Sequence, residues 1–124
     1  MGELREKADT KLATITGIDM NAVAATPLFT VPEGKSCIIT HVIIRNASIA
    51  LDTADFGFGY AAGETDVIQH GVLGSGLTAV TLYRVLEAKD GAIKGVAAEI
   101  FKIGVDIVQG AAATMDVDVF GYLF

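Results

Sequence analysis

The longest run of β-forming residues occupies positions 36–46 and follows a turn signal at residues 31–34. This run, SCIITHVIIRN, is rich in β-branched side chains and contains neither Gly nor Pro, as expected for a strand that crosses a sandwich core. Pro32 suits the second position of a tight turn, and Gly34 suits its last position or a left-handed bulge. Apolar residues fall on both sides of the run, so we expect both sides to be covered, within the fold or in a subunit contact.

Alternation of apolar and polar residues predicts further strands on either side of this run. They are placed at residues 11–16, 26–31, 54–60, 77–86, 98–108 and 113–123, and residues 66–73 are expected to be a short strand or a turn segment. Gly-rich turns separate them, and no segment has a convincing helical period. The chain is therefore predicted to be all-β, with about eight antiparallel strands in a sandwich, jelly roll or barrel.

Two of these segments carry more specific expectations. In residues 54–60 the aromatic side chains share one side and glycines the other, which indicates close backbone approach, a bulge or strong curvature. In residues 77–86 the alternation places Leu77, Tyr83 and Val85 on one face, which we assign to packing.

Length and composition indicate one domain that associates with other copies. Of the 124 residues, 52% are hydrophobic and 19% charged, and the mean hydropathy of +0.51 is high for a soluble monomer of this size. Residues 11–124 are predicted to form the single β-sandwich domain, and residues 1–10 a short amino-terminal arm. A homo-oligomer is the usual way to cover such apolar surface.

Charge, the length of apolar runs and the amino-terminal segment argue against nucleic acid as a partner, a membrane helix and a secretory signal, respectively. The net charge of −6 leaves no basic stripe for nucleic acid. No apolar run approaches the roughly 18 residues of a membrane helix. The charged amino-terminal segment lacks the apolar core of a secretory signal, so the protein is expected to be made in the cytoplasm.

Cysteine and histidine supply no recognisable site. The single cysteine, Cys37, excludes an intramolecular disulfide and is expected to be a small buried hydrophobe. His41 and His70 have no His-x-His, Cys pair or HExxH around them, so neither a metal site nor a cofactor is predicted. His41 is expected to pack within its strand or at a subunit seam.

The acidic residues have structural interpretations too. Asp116 and Asp118 alternate with apolar residues and are predicted to face solvent; an acid–base pair for sugar hydrolysis would need a cleft that nothing here supplies. Calcium would need convergence of four acidic side chains from two loops: Asp52, Asp55, Glu64 and Asp66. The Gly-Ser-Gly at 74–76 lacks the nucleophile-elbow spacing, so no enzymatic activity is predicted.

Three segments resemble a known class of proteins. TPLFTVPEGK with IITHVIIRNAS (residues 26–48), GFGYAAGETDVI (57–68) and ATMDVDVFGYLF (113–124) are similar to small jelly-roll proteins encoded in tailed-phage structural gene clusters. The last segment also resembles the closing strand of TNF-like trimers, which ends in an aromatic-Gly-aromatic pattern. The resemblance covers most of residues 26–124.

The resemblance implies an antiparallel jelly-roll sandwich and a trimeric virion protein, either a capsid decoration subunit or a minor capsid or tail accessory subunit. Its partners would be its own copies and a major capsid or other virion protein. The residues expected in contacts are Leu4, Arg5 and Lys7 in the arm and Phe120, Tyr122 and Phe124 at the carboxyl end. The alternative is a receptor-binding carbohydrate module, which predicts an exposed aromatic pair beside a polar groove; the chain has no Trp, and Tyr60 and Tyr83 fall on packing faces.

Overall fold

The computed structural model describes residues 10–124, which form two packed antiparallel sheets. Within that range there are nine strands and no helix, so the predicted all-β antiparallel sandwich is confirmed. The strands are β1 (Thr10–Asp19), β2 (Ala24–Thr30), β3 (Ser36–Arg45), β4 (Asp55–Gly59), β5 (Ile68–Gly71), β6 (Tyr83–Glu87), β7 (Gly95–Val96), β8 (Ile100–Ile107) and β9 (Thr114–Leu123).

The strands divide between the sheets in an interleaved order. The first sheet has the order β1-β9-β3-β6, with the short β7 also paired to β3, and the second has the order β2-β8-β4-β5. The predicted arm, residues 1–10, lies outside the described residues except for Thr10, which begins β1. Across the described part of the chain, no helix has the length and apolarity that a membrane crossing would need.

The core lies between the inner faces of the two sheets. Phe56 and Phe58 of β4 and Phe101 of β8 are fully buried, with ring centroids about 6 Å apart along the series. Valine and isoleucine side chains of β3 and β9 cover them from the first sheet. Cys37 is fully buried among these groups, as predicted, and burial raises the pKa of its thiol.

A β-bulge explains the blurred alternation of β3. The register with β9 shifts between Ile39 and His41, where β3 has one extra residue. Odd-numbered side chains therefore point inward before the shift, and even-numbered side chains point inward after it. The inward side chains are therefore Cys37 and Ile39 before the bulge and Val42 and Ile44 after it. The sequence pattern contains no sign of the extra residue, so strict alternation would place Cys37 and Ile39 on the opposite side from Val42 and Ile44.

The strand predicted at residues 77–86 is largely replaced by turns. Only Tyr83–Glu87 is a strand, and residues 74–82 are held by local backbone bonds such as Leu77 N–H to Gly74 O at 2.9 Å. Leu77 inserts into the core, while Tyr83 (68% exposed) and Val85 (46% exposed) face outward. The prediction that Tyr83 and Val85 lie on a packing face is therefore wrong, because β6 is an edge strand that buries Leu86 on its other side.

The turn at residues 32–35 differs from its prediction by one position. Lys35 N–H donates to Pro32 O at 3.2 Å, so Pro32 takes the first position of the turn rather than the second. Gly34 is then the third residue, with φ of 76°, the left-handed value that a type II turn requires there. The turn itself and its need for glycine were predicted correctly.

Candidate functional site

The outward side chains of the first sheet form an ordered surface, called here the outer face of the first sheet. Directly paired residues share a face, so the strand register arranges these side chains in rows across β6, β3, β9 and β1. Three of these rows are Tyr83–Arg45–Asp116, Val85–Ile43–Asp118–Thr14 and Glu87–His41–Phe120–Lys11.

Arg45 and Asp118 make a two-pronged ion pair at the centre of this face. Arg45 Nε donates to Asp118 Oδ2 at 2.9 Å, a second guanidinium nitrogen lies 3.3 Å from Asp118 Oδ1, and Thr14 Oγ1 donates to Oδ1 at 2.8 Å. The hydrogen bond from Arg45 lowers the pKa of the Asp118 carboxyl, against the opposing effect of its burial. Asp118 is therefore held as a carboxylate.

Asp116 is fixed by the strand on either side of it. Its Oδ1 accepts from Gly17 N–H at 2.9 Å, its Oδ2 accepts from Asn46 Nδ2 at 3.1 Å, and Arg45 lies 3.6 Å away. Asp116 and Asp118 are only 6% and 7% exposed. The prediction that they face solvent was wrong, because side chains from β1 and β3 on both sides of the central strand β9 cover them.

An open groove runs along this face beside β6. Its volume is about 530 Å³; its floor includes Ile43, Arg45 and Asp118, and residues 80–83 form one wall. Tyr83 was predicted to pack, yet its ring stands exposed at the groove. The outer face thus combines apolar groups with charges that are already paired within the chain.

The predicted carboxyl-terminal contact residues lie at the other end of the same face. Phe120 stacks on His41, with centroids 4.6 Å apart and planes at 7°, and Tyr122 lies 5.8 Å from Phe124. Phe124 is 54% exposed, with Lys94 Nζ 5.7 Å from its ring centroid. Leu4, Arg5 and Lys7 lie outside the described residues, so contacts by the arm stay a prediction.

A second polar cluster lies on the outer face of the second sheet. His70 Nε2 is 2.7 Å from Gly63 O, and its Nδ1 is 3.1 Å from Asp55 Oδ1. Asp106 of β8 completes the cluster, since the potential ligand atoms of Asp55, His70 and Asp106 all lie within 4.8 Å of one another.

Glycines form the floor under this cluster and the loop beside it. A Cβ at Gly57 would lie 2.5 Å from His70 Cδ2, and a Cβ at Gly104 would collide with Glu64. This confirms the close approach predicted for the glycine side of β4. The carboxylates considered for calcium diverge, because Asp66 accepts from Tyr60 N–H at 2.8 Å while Glu64 lies 3.9 Å from Lys102 Nζ.

No protein-family model, curated protein or solved structure matches the chain. What the protein does is therefore inferred from its own residues.

Three groups were missed in the sequence: Arg45, the exposed ring of Tyr83, and the partnership of His70 with Asp106. Arg45 and Asp118 are 73 residues apart and meet only through the pairing of β3 with β9. His70 faces outward because a register shift sets both Gln69 and His70 opposite Gly57. Neither the Arg45–Asp118 pair nor the proximity of His70 to Asp106 can be predicted from neighbouring residues in the sequence. The one available indication was that an arginine ends an apolar strand while another strand carries two alternating aspartates, which could have been predicted to form an ion pair.

Proposed function

We propose that this protein is a non-enzymatic structural subunit of a phage virion, a capsid decoration protein or a minor capsid or tail accessory subunit, that assembles as a trimer. The observation that carries the proposal is the outer face of the first sheet, where exposed apolar side chains surround internally paired charges. Membership of a virion rests on the resemblance of residues 26–48, 57–68 and 113–124 to small phage jelly-roll proteins.

The strand order supports the jelly-roll part of the proposal. Strands β1 to β4 alternate between the two sheets, and β4 and β5 are neighbours in the second sheet; the four-stranded paths are β1-β9-β3-β6 and β2-β8-β4-β5. Double-sheet jelly rolls of this size recur in viral capsids and lectins. In the proposed assembly the second sheet closes the core, and the first sheet presents its outer face to sister subunits.

A second copy of the chain fits the outer face better than an unrelated partner does. Tyr83, Val85, Val80 and Leu82 are exposed together at the β6 side, and tyrosine is enriched in protein interfaces. Each chain has a net charge of −6, so most surfaces repel their copies. On this face the Arg45 guanidinium offsets the nearby carboxylates, so two copies can meet without leaving unpaired charges buried.

The test is the solution mass of the purified protein across a dilution series, measured by light scattering. We expect a mass near three times the 12.9 kDa of one chain, falling only at low concentration. Val85→Arg should weaken association at least about tenfold, because a charge buried without a partner costs well over 1.4 kcal/mol.

The matched control is Val23→Arg, because Val23 is a more exposed valine than Val85 and lies outside the first sheet, between β1 and β2. This variant should keep the wild-type mass at every concentration. A wild-type protein that remains a monomer throughout would contradict the proposal, and an equal effect of both substitutions would place the contact elsewhere.

A carbohydrate-binding module is the second candidate, supported by the exposure of Tyr83 beside a groove with polar groups. Its support is weaker for two reasons. Arg45 and Asn46 already donate hydrogen bonds to Asp118 and Asp116, so those donors are not available to a sugar. Among the described residues, Tyr83 is also the one tyrosine that lines the groove. Glycan-array binding by a monomer, lost in Tyr83→Ala, would favour this candidate over the structural one.

A further inference from the structure

The Asp55–His70–Asp106 cluster lies on the side of the molecule opposite the proposed assembly face. Asp55 begins β4, His70 lies in β5 and Asp106 lies near the end of β8, and these strands are neighbours in the order β8-β4-β5. The three side chains therefore come from distant parts of the sequence yet meet on one patch, with ligand atoms within 4.8 Å of one another.

Both ring nitrogens of His70 face hydrogen-bond acceptors. The Gly63 carbonyl oxygen can only accept, so Nε2, 2.7 Å away, must donate to it. A neutral imidazole has one N–H, so its Nδ1 then points a lone pair at the Asp55 carboxylate 3.1 Å away. Two electron-rich atoms at that distance repel each other unless a proton or a metal ion lies between them.

This arrangement matches the surroundings of metal-bound histidines. Such histidines usually donate their second ring N–H to a backbone carbonyl or a carboxylate, which fixes the tautomer and turns the other nitrogen toward the metal. Here the Gly63 carbonyl provides that contact. Gly57 provides the space, because any larger residue would place a Cβ 2.5 Å from His70 Cδ2.

The dimensions and charge of the cluster also suit a cation. Two ligand atoms bound tetrahedrally at about 2.0 to 2.2 Å from one ion lie about 3.3 to 3.6 Å apart. Side-chain movement of up to about 1.5 Å would therefore close the site from 4.8 Å, and the exposed Asp106 side chain is free to rotate by that amount. Among the described residues no Lys or Arg forms an ion pair with Asp55 or Asp106, and the nearby Lys102 is paired with Glu64.

We propose that Asp55, His70 and Asp106 bind a divalent transition-metal ion of the Zn²⁺ class, with His70 Nδ1 and one oxygen of each aspartate as ligands. An imidazole nitrogen favours Zn²⁺, Co²⁺ or Ni²⁺ over Mg²⁺ and Ca²⁺. Asp106 is exposed, so water completes the coordination. The ion would tie β8 and β4 to the four-residue edge strand β5, and through Gly63 to the loop at residues 61–66.

The experiment uses the full chain after treatment with EDTA. Titration with Co²⁺ should produce visible absorption bands of a nitrogen- and oxygen-ligated ion, and Zn²⁺ should raise the thermal midpoint because it binds only the folded state. Asp106→Asn and His70→Gln should each weaken Co²⁺ binding at least about tenfold. Asp106→Asn is the safer variant, because the side chain is exposed and its loss leaves the fold intact.

Asp90→Asn, a substitution at an exposed turn residue, is the matched control and should bind Co²⁺ like the wild type. Absence of any Co²⁺ spectrum and any Zn²⁺-dependent shift would overturn the proposal and leave the cluster as a group of hydrogen-bonded side chains that binds no ion. Equal Co²⁺ affinity in Asp106→Asn, or a larger thermal shift with Ca²⁺ than with Zn²⁺, would also overturn it.

Discussion

Asp118 is a buried carboxylate whose negative charge is held by two neighbouring strands. Arg45 of β3 and Thr14 of β1 both donate to it, and the pKa of the carboxyl is lowered in consequence. A folded-state pKa below the unfolded value of about 3.9 stabilises the protein at pH values above that range. This contribution is lost as the pH falls through the folded-state pKa.

Asp118→Asn should therefore reduce the free energy of unfolding by about 2 kcal/mol at pH 7, the usual scale for a hydrogen bond to a charged group. The deficit should shrink as the pH falls from about 5 toward the folded-state pKa, because the wild-type carboxyl then becomes neutral as well. Denaturant unfolding at a series of pH values measures it. The control, Asp90→Asn, should change stability by less than about 0.5 kcal/mol.

A deficit that stays constant over the whole pH range would show that the substituted amide packs poorly rather than that a charge is missing. Because the Arg45 side chain is 39% exposed, part of the attraction is screened by solvent, and added salt should reduce the deficit only modestly.

At the scale of the strands, Gly121 of β9 lies where the backbone of the neighbouring strand leaves no room for a side chain. Gly121 of β9 pairs with Ile39 beside the bulge in β3, and a Cβ there would collide with the Ile38 carbonyl oxygen. A backbone atom in a paired strand cannot move aside as a flexible side chain can. Gly121 is therefore required by the bulge, which also sets the outward direction of His41.

Gly121→Ala should lower the free energy of unfolding by about 2 kcal/mol or more, on the scale of overpacking a well-packed site. Gly71→Ala is the matched control in strand β5, because its Cβ would meet only Leu73 Cδ2 at an ordinary 3.6 Å. That change should be neutral or mildly stabilising. Chemical denaturation of both variants gives the comparison, and an equal loss in the two would mean that strand entropy rather than the bulge determines the cost.

The strands that could be predicted are those whose alternation is decided by the core. The strands β3, β8 and β9 lie within the predicted residues 36–46, 98–108 and 113–123, respectively. Each of them buries one sheet face, which produces the alternation that was used to predict it. The strand predicted at residues 77–82 is absent because no face of that segment is buried. Only Leu77 enters the core there, so the alternation of the other apolar residues does not indicate a position in a sheet. Bulges and cross-strand ion pairs depend on register, which alternation does not specify across long separations.

At the scale of the whole molecule, Cys37 is a built-in probe of how often the sandwich opens. It lies on β3, fully buried between the sheets, and burial raises the pKa of its thiol, so the reactive thiolate is scarce in the folded state. The adjacent Tyr60 hydroxyl is also buried and makes no hydrogen bond of ordinary geometry; sulfur is only a weak partner for it.

Labelling of Cys37 by a thiol reagent should be at least about 1,000-fold slower in native buffer than in denaturant, because it requires an opening that costs several kcal/mol. If the chain assembles through the outer face of the first sheet, which includes β3, association should slow labelling further as protein concentration rises. Val85→Arg should abolish that concentration dependence, whereas Val23→Arg should retain it. Rapid labelling at every concentration would mean that the edge formed by the two-residue strand β7 opens locally, and that subunit contacts do not protect this part of the core.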